Sequence, residues 1–496
     1  MGDTADGQDG EPLNTTAKSG PQIVEIVSDG DIILEVTFET SKETLKAARK
    51  ASKPRPGQKV TPPVLKGKLQ VRYRVQLAAL KSNSKYFDNL LSDTRFAEAR
   101  SIEASFTQLS LKNVKPSDAD AADLPVVKIH EDDEATRSAG QESAFGDLLR
   151  ILHRKQSTSK AVTMQYLAVL AVLADRFDCT AIVSRYLNVL KYKWPTTQTR
   201  VSRDDGPALS KAAEETLRQK ILVSWLLEQP LKMHIATREL IMYGSRRWST
   251  FLDEDEEATF TAAWWDLPDD LEAELHTRRL LILTTLSSIQ RHFLHLYTSR
   301  TTPRQCKLGY DSSASCDSYQ LGEMVKFLVG KELLFFSDFA ASFSPHTNSL
   351  QKDYATVDIG HIIAALKQCP SYQIDKNHAH CGLRSRILPI LDYIQAMLSA
   401  NIIPISRTSW ARDREAVSWG LDEDEDGDTG RAEGKKGKKK VFRFTRGMAT
   451  DQRLRYEGAM AADRMAREVF TAGEWDWTPE DRDETRGVEF GRWKIG

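Results

Sequence analysis

The stretch that decides the fold is KLQVRYRVQLAALKSNSKYFDNLL, residues 68–91, because its apolar residues change their spacing part-way along. In Lys68–Arg74 every second residue is apolar, which is the pattern of a strand with one buried face. From Leu77 to Leu91 the apolar residues instead recur at helical spacing, with a polar break at Ser82-Asn83-Ser84. The stretch therefore predicts a strand followed directly by a broken helical segment.

The residues before this stretch carry two more β patterns. Ile23–Val27 and Asp31–Phe38 are rich in β-branched and aromatic residues, and Ser28-Asp29-Gly30 between them is typical of a turn, so we expect a hairpin. Residues 41–66 then lose all hydrophobic periodicity and contain four prolines, which predicts a solvated insertion.

The residues after it return to alternating elements. A polar stretch is followed by a short strand pattern at Leu124–Ile129 and by helical patterns at Phe145–Leu152, Met164–Phe177 and Ala181–Leu190. Trp194-Pro195 and the polar run to Pro207 then mark a domain boundary. We therefore expect an α+β domain over residues 21–195.

These motifs, in this order, resemble the BTB (POZ) domain. Asp31-Ile-Ile-Leu-Glu-Val is similar to the family's aspartate-led strand, and Tyr73–Phe87 is similar to its strand ending in His-Arg and the helix Leu-Ala-Ala-Ser-x-x-Phe that follows. Phe145–His153 and Leu173-Ala-Asp-Arg-Phe177 resemble two of its later helices. The whole chain looks like the fungal BTB proteins, in which this domain precedes a long helical region. The resemblance implies an α+β fold and a role in binding other proteins.

The chain also departs from that family in two places. Residues 41–66 interrupt the opening sheet where most members have a tight turn. Residues 1–20 are too polar to form the helix that most dimeric members exchange between subunits, and their composition predicts disorder. The sequence therefore leaves homodimerisation open.

Beyond the boundary the pattern is almost wholly helical, and we expect an all-helical domain over residues 206–405. Its clearest element has an apolar seam stepping by seven, four, three, four and three residues: Leu275, Ile282, Leu286, Ile289, Phe293 and Leu296. Residues 406–496 place the acidic run Asp422–Asp426 shortly before the basic run Lys435–Lys440, which predicts a disordered charged linker and tail. One short amphipathic helix is expected there, at Leu454–Val469.

A set of thiols and imidazoles in the helical half is the candidate metal site. Its members are Cys306, Cys316, Cys369, Cys381, His378 and His380. Zinc prefers four nitrogen or sulfur donors in a tetrahedron. The cysteines are separated by nine residues (306 to 316) and eleven residues (369 to 381), unlike the close pairs of common zinc fingers. The alternative is that the cysteines are small buried hydrophobes and the histidines lie on a loop.

Two pairs of residues are candidates for binding a partner. Asp31 and Arg74 match a family pair that lines a charged pocket at the dimer centre, as the resemblance implies; the alternatives are an ordinary ion pair or two solvated side chains. Phe96-Ala-Glu98 resembles the hydrophobic-x-Glu element through which BTB adaptors dock a cullin scaffold. Here the alternative is a helix-terminal loop with an incidental phenylalanine.

Composition limits the remaining classes. The chain has 69 basic and 70 acidic residues, so its overall charge predicts no nucleic-acid partner, and its longest apolar run is too short to predict a membrane span. Five cysteines and an acidic N-terminus without a signal sequence predict reduced thiols in the cytoplasm or nucleus. The sequence contains no Gly-x-Ser-x-Gly elbow, phosphate-binding loop or kinase motif.

The function that these observations predict is a non-enzymatic protein–protein interaction protein, with no catalytic residues and no cofactor other than a candidate zinc ion. Two alternatives remain: a substrate adaptor for a cullin-type ubiquitin ligase, and a metal-dependent or enzymatic helical domain.

Overall fold

The computed structural model describes residues 23–51, 65–158, 162–194, 210–245, 247–248, 262–300, 304–306, 308–309, 311–337, 354–378, 381–399 and 405. The expected disorder of residues 1–20, the tail at 406–496 with its short helix, and His380 lie outside these residues. The chain divides into two compact units, with the division between Lys191 and Tyr192 and with Thr163–Ala168 grouped in the second unit. The fold is mixed: a small sheet near the N-terminus, then many helices.

The first unit is built on a sheet of four strands in the order β1-β3-β2-β4: β1 Ile23–Glu25, β2 Ile32–Glu39, β3 Lys68–Val75 and β4 Val126–Asp132. β3 is antiparallel to β2, with Leu34 opposite Tyr73, and β4 is parallel to β2, with Leu34 opposite Val127. Because β2 has a neighbour on both edges, nearly all of its residues are buried.

The expected hairpin of residues 23–38 is wrong, because β1 pairs with β3 and not with β2. The pairing is parallel, and it continues where the amides of Ile26 and Val27 donate to the Arg74 carbonyl. The chain then crosses the end of β3 at Gly30, where a Cβ atom would lie 2.7 Å from Arg74 Cγ and 2.9 Å from the Val75 nitrogen. Residues 28–30 do reverse the chain, but they carry it past the end of β3. The two segments that they connect, β1 and β2, each pair with β3 and not with each other.

The start of the insertion at residues 41–66 is more ordered than the lost periodicity predicted. Helix α1, Lys42–Ala51, begins this insertion, while residues 52–64 lie outside the described ranges. Ser41 fixes the start of α1, since its amide and hydroxyl both donate to the Asp133 carboxylate at 3.0 Å. The remainder of α1 is mostly exposed, as expected of a solvated insertion.

Six more helices precede the division among the described residues: α2 Leu77–Asn83, α3 Lys85–Ser92, α4 Ala97–Leu111, α5 Gln141–Leu152, α6 Met164–Arg176 and α7 Thr180–Val189. Of these, α6 begins among the residues grouped with the second unit. Ser84 provides the break between α2 and α3, since its hydroxyl accepts from the Phe87 amide and donates to the Phe177 carbonyl at 2.6 Å. Phe87 and Phe177 stack with ring centroids 5.2 Å apart, and Phe145 meets Phe177 edge-on. These rings form the aromatic centre of the core.

The second unit contains α8 Lys211–Leu226, α9 Pro230–Tyr243, α10 Leu271–Thr298, α11 Ser313–Gly330, α12 Ile359–Lys367 and α13 Arg384–Ser399. The seam predicted for α10 is buried from Leu275 to Phe293. Arg279 on α10 donates to four backbone carbonyls, those of Ile241, Met242, Tyr354 and Val357, and so joins the end of α9 to the segment before α12. Burial lowers the pKa of Arg279 to about 9, which still leaves the guanidinium charged at neutral pH.

Candidate metal centre

Four donor groups from distant parts of the second unit converge in one place. They are Cys306, Cys316, His378 and Cys381, and their ligand atoms all lie within 4.8 Å of one another. Cys306 and Cys316 are buried, His378 is fully buried, and Cys381 is partly exposed. We refer to these four residues as the Cys3His cluster.

Three distances within the Cys3His cluster match the edges of a zinc tetrahedron. The sulfurs of Cys306 and Cys381 are 3.7 Å apart, and His378 Nδ1 lies 3.4 Å from Cys306 Sγ and 3.6 Å from Cys381 Sγ. Zn–S bonds of about 2.3 Å and Zn–N bonds of about 2.0–2.1 Å in a tetrahedron place two sulfurs about 3.8 Å apart, and a sulfur and a nitrogen about 3.6 Å apart. The four groups could therefore hold a metal ion such as zinc.

Asp317 positions the first ligand. It lies beside Cys316 near the start of α11, and its two carboxylate oxygens accept hydrogen bonds from the amides of Gln305 and Cys306 at 2.8 and 2.9 Å. The loop that carries Cys306 is therefore tied to the helix that carries Cys316. This explains how two cysteines so far apart in sequence reach the same site.

The imidazole of His378 is oriented by groups outside the cluster. His378 ends the short 3-10 turn Lys376–His378, and its Nε2 lies 3.0 Å from the Ser312 hydroxyl and 3.9 Å from the Asp375 carboxylate. Nε2 therefore faces the Ser312 hydroxyl and the Asp375 carboxylate, while Nδ1 faces the sulfurs of Cys306 and Cys381. Metal-binding histidines typically have such a partner on the second ring nitrogen.

The cluster needs thiolates to bind a metal, and its surroundings act on the thiols in opposite directions. Burial, together with the neighbouring sulfurs, raises the pKa of Cys316 to about 12. Burial also raises the pKa of Cys306, but hydrogen bonds from Ser313, the Leu308 backbone and the other thiols outweigh it, so that the pKa lies below its usual value. A bound cation would favour the thiolate form at all three cysteines.

The sequence predicted a larger ligand set than the structure brings together. Cys369 is fully buried, but it lies outside the cluster, and its thiol donates to the Pro370 carbonyl at 3.7 Å. The prediction that Cys369 is a ligand is therefore wrong. A buried cysteine that does not share its surroundings with other metal-binding groups acts as a small hydrophobe. His380 is not among the described residues. Sequence reasoning also missed Ser312 and Asp317, because nothing in their local pattern marks them as supports of a distant site.

Asp31 and Arg74 do not form the ion pair that was one sequence-based alternative. Both side chains are described, and no salt bridge joins them. Arg74 donates to the carbonyls of Gly30, Ser117 and Ala119, and Asp31 accepts from the Leu77 amide at 2.7 Å. Burial raises the pKa of the Asp31 carboxyl, partly offset by that amide. Asp31 and Arg74 therefore each bind nearby backbone groups and not each other.

Phe96 and Glu98 lie at the start of α4, where Phe96 is the N-terminal flanking residue. The Phe96 side chain is 44% exposed and Glu98 is half-buried. A groove of about 660 Å³ follows the same helix, lined by Leu77, Leu91, Ile102, Phe106 and Leu111 among others. The core of the unit therefore does not require the Phe96 ring.

Comparison with known proteins gives no further guide to the site: no protein-family model, no curated protein and no solved structure matches this chain. Among the residues that the structure describes, no helix is both long and apolar enough to cross a membrane.

Proposed function

We propose that the second unit binds one zinc ion through the Cys3His cluster and that this ion is structural. The single observation that carries the proposal is the convergence of four donor atoms within 4.8 Å of one another, three of which (on Cys306, Cys381 and His378) lie at the sulfur–sulfur and sulfur–nitrogen distances of a zinc tetrahedron. Thiolates and imidazoles are also donors that bind zinc in preference to magnesium or calcium, which favour oxygen ligands.

A structural role is favoured because protein groups supply all four positions. Catalytic zinc sites usually have three protein ligands and leave the fourth position to water or substrate. Here the ligands also join three separate segments: the loop at residues 304–306, the start of α11, and the segment that carries His378 and Cys381. Arg386 on α13 lies close enough to donate to Gln305, and its charge would partly balance the negative charge of three thiolates and Zn²⁺.

The test compares two buried cysteines, one inside the cluster and one outside it. Cys316 and Cys369 are both fully buried, so Cys316→Ala and Cys369→Ala remove the same atom from similarly packed sites. Elemental analysis of purified wild-type and Cys369→Ala proteins should find close to one zinc per chain, whereas Cys316→Ala should have lost most of it. A wild-type protein without zinc, or equal zinc in both variants, would contradict the proposal.

A second function is proposed for the first unit: a non-enzymatic surface that recruits another protein, in the manner of the BTB domains that the sequence resembles. The support is the arrangement of a central β2 flanked by antiparallel β3 and parallel β4, followed by helical pairs, together with an exposed Phe96 beside α4. The protein class to test is a cullin scaffold, which Phe96 and Glu98 would contact.

Alanine replacement of Phe96 tests this second proposal. An exposed aromatic anchor at an interface commonly contributes ~2 kcal/mol or more, so Phe96→Ala should weaken cullin co-purification by about thirtyfold without changing the unfolding temperature. Val189→Ala is the matched control, because Val189 is an apolar residue of α7 that is 76% exposed and does not line the groove along α4. If wild-type protein captures no cullin, or if both variants lose it equally, the adaptor function is wrong.

A further inference from the structure

Helix α1 carries a row of three lysines along one side. Lys42, Lys46 and Lys50 are four residues apart, so they lie above one another on the helix surface, and all three are exposed. At a rise of 1.5 Å per residue the row is about 12 Å long. We call these three residues the lysine row.

The lysine row has no carboxylate partner among the described residues. Like charges four residues apart destabilise a helix. Neighbouring Arg49 and Lys66 add two more exposed cations, and Glu43 is the one acidic residue in α1. The contrast is Lys68 nearby, which is neutralised by Glu39 at 2.6 Å. The surface at the lysine row therefore carries positive charge that no described carboxylate neutralises by an ion pair.

The lysine row is presented by a helix with a fixed position. Ser41 ties the start of α1 to Asp133, Thr44 is buried, and a Cβ atom at Gly67 would lie 3.3 Å from Leu45 Cδ1. Thr44 and Leu45 thus lie on the covered side of α1, while the lysines are exposed. The positive charge is held in one geometry instead of being spread over a flexible segment.

We infer that the lysine row binds the phosphate backbone of double-stranded nucleic acid. Insertion into a lipid surface requires large apolar residues beside the cations, whereas the outward side of α1 offers only Ala47 between its charges. Binding of single strands relies on aromatic side chains that stack with bases, and residues 41–68 contain no aromatic residue. A duplex backbone requires cations alone, and it is read independently of sequence.

This inference departs from the expectation based on overall charge. The whole chain has a net charge of −1, but α1 alone carries four cations and one carboxylate, a local excess of three. Phosphate contacts depend on local charge within a Debye length of about 8–10 Å, so the total is a poor guide to what one surface binds.

The experiment measures binding of the full-length protein to a short, fluorescently labelled DNA duplex of mixed sequence. The test variant is Lys42→Ala/Lys46→Ala/Lys50→Ala. The control is Lys112→Ala/Lys115→Ala/Lys128→Ala, which removes the same charge from exposed positions elsewhere in the first unit. Each lost phosphate contact should lower the slope of log affinity against log salt by about one, or about three for the row.

The proposal is supported if the lysine-row variant loses affinity about tenfold or more at low salt and shows the shallower slope, while the control binds like wild type. It is overturned if wild-type protein does not bind the duplex, or if the two variants are weakened equally. Binding to vesicles of phosphatidylserine and phosphatidylcholine in the absence of duplex binding would also overturn it. Circular dichroism of both variants confirms that the comparison concerns folded protein.

Discussion

His153 is a single side chain that holds two helices together, and it can do so only as a neutral imidazole. Its Nε2 accepts a hydrogen bond from the Gln76 amide at 3.0 Å, next to the start of α2, and its Nδ1 donates to the Leu149 carbonyl in α5 at 2.7 Å. A protonated ring could not accept from Gln76. Burial lowers the pKa of His153, although the nearby Asp31 carboxylate opposes the shift.

This lowered pKa makes the stability of the protein depend on pH. The unfolded chain takes up the proton near the ordinary pKa of 6.5, before the folded state does. Stability contributed by His153 is therefore fully present above about pH 6.5 and is lost as the pH falls toward the folded-state pKa. The difference in unfolding temperature between wild type and His153→Gln should become smaller as the pH is lowered from neutral to mildly acidic.

The control is His361→Gln, which removes an exposed histidine from α12 for which no ion pair is seen among the described residues. Any pH dependence that both variants share is then not due to the contacts of His153. A His153→Gln difference that does not change with pH would show that the imidazole is not held neutral in the way these contacts require.

Residue-scale prediction from sequence succeeded where the chemistry of one side chain was enough and failed where a site depended on neighbours. The cysteines and His378 could be recognised as candidate ligands because few other side chains bind zinc. Which cysteines converge could not be recognised, since Cys369 differs from Cys316 only in what the fold places around it. Asp317 supports the site through backbone amides, and a carboxylate in a polar loop gives no sign of that role.

At the scale of elements, local periodicity predicted most helices and strands but not their partners. The alternation in Lys68–Arg74 and the seam of α10 both correspond to buried faces. The pairing of β1 with β3 was missed because a turn signal fixes where a chain reverses, not which strand lies beside it. α1 and α4 were missed because they bury few residues: Thr44 in α1, and Ala99, Ile102 and Leu109 in α4. α4 has little hydrophobic pattern to detect, whereas the pattern of α1 consists mainly of charged residues on one side and few apolar residues on the other.

At the scale of the whole molecule, the two units are stabilised by different chemistry. The first has a sheet covered by helices and an aromatic centre at Phe87, Phe145 and Phe177. The second has long helices, buried arginines such as Arg218 between Glu214 and Glu272, and the Cys3His cluster. Zinc binding contributes on the order of 10–16 kcal/mol of apparent free energy in small zinc-finger peptides, so its loss should be felt mainly in the unit that holds it.

Hydrogen–deuterium exchange after metal removal tests that difference between the units. When a strong chelator is added to the zinc-loaded protein, amides in residues 304–337 and 354–399 should exchange faster, because Cys306, His378 and Cys381 are no longer held to α11. Amides in the sheet of the first unit, at β2 and β3, should keep their protection because hydrogen bonds and apolar packing hold them. The metal-free Cys316→Ala protein is the control, and the same chelator should leave its exchange unchanged. Equal loss of protection in both units would mean that the metal supports the whole chain, whereas no loss in either would mean that the helices pack without it and the Cys3His cluster is not a structural site.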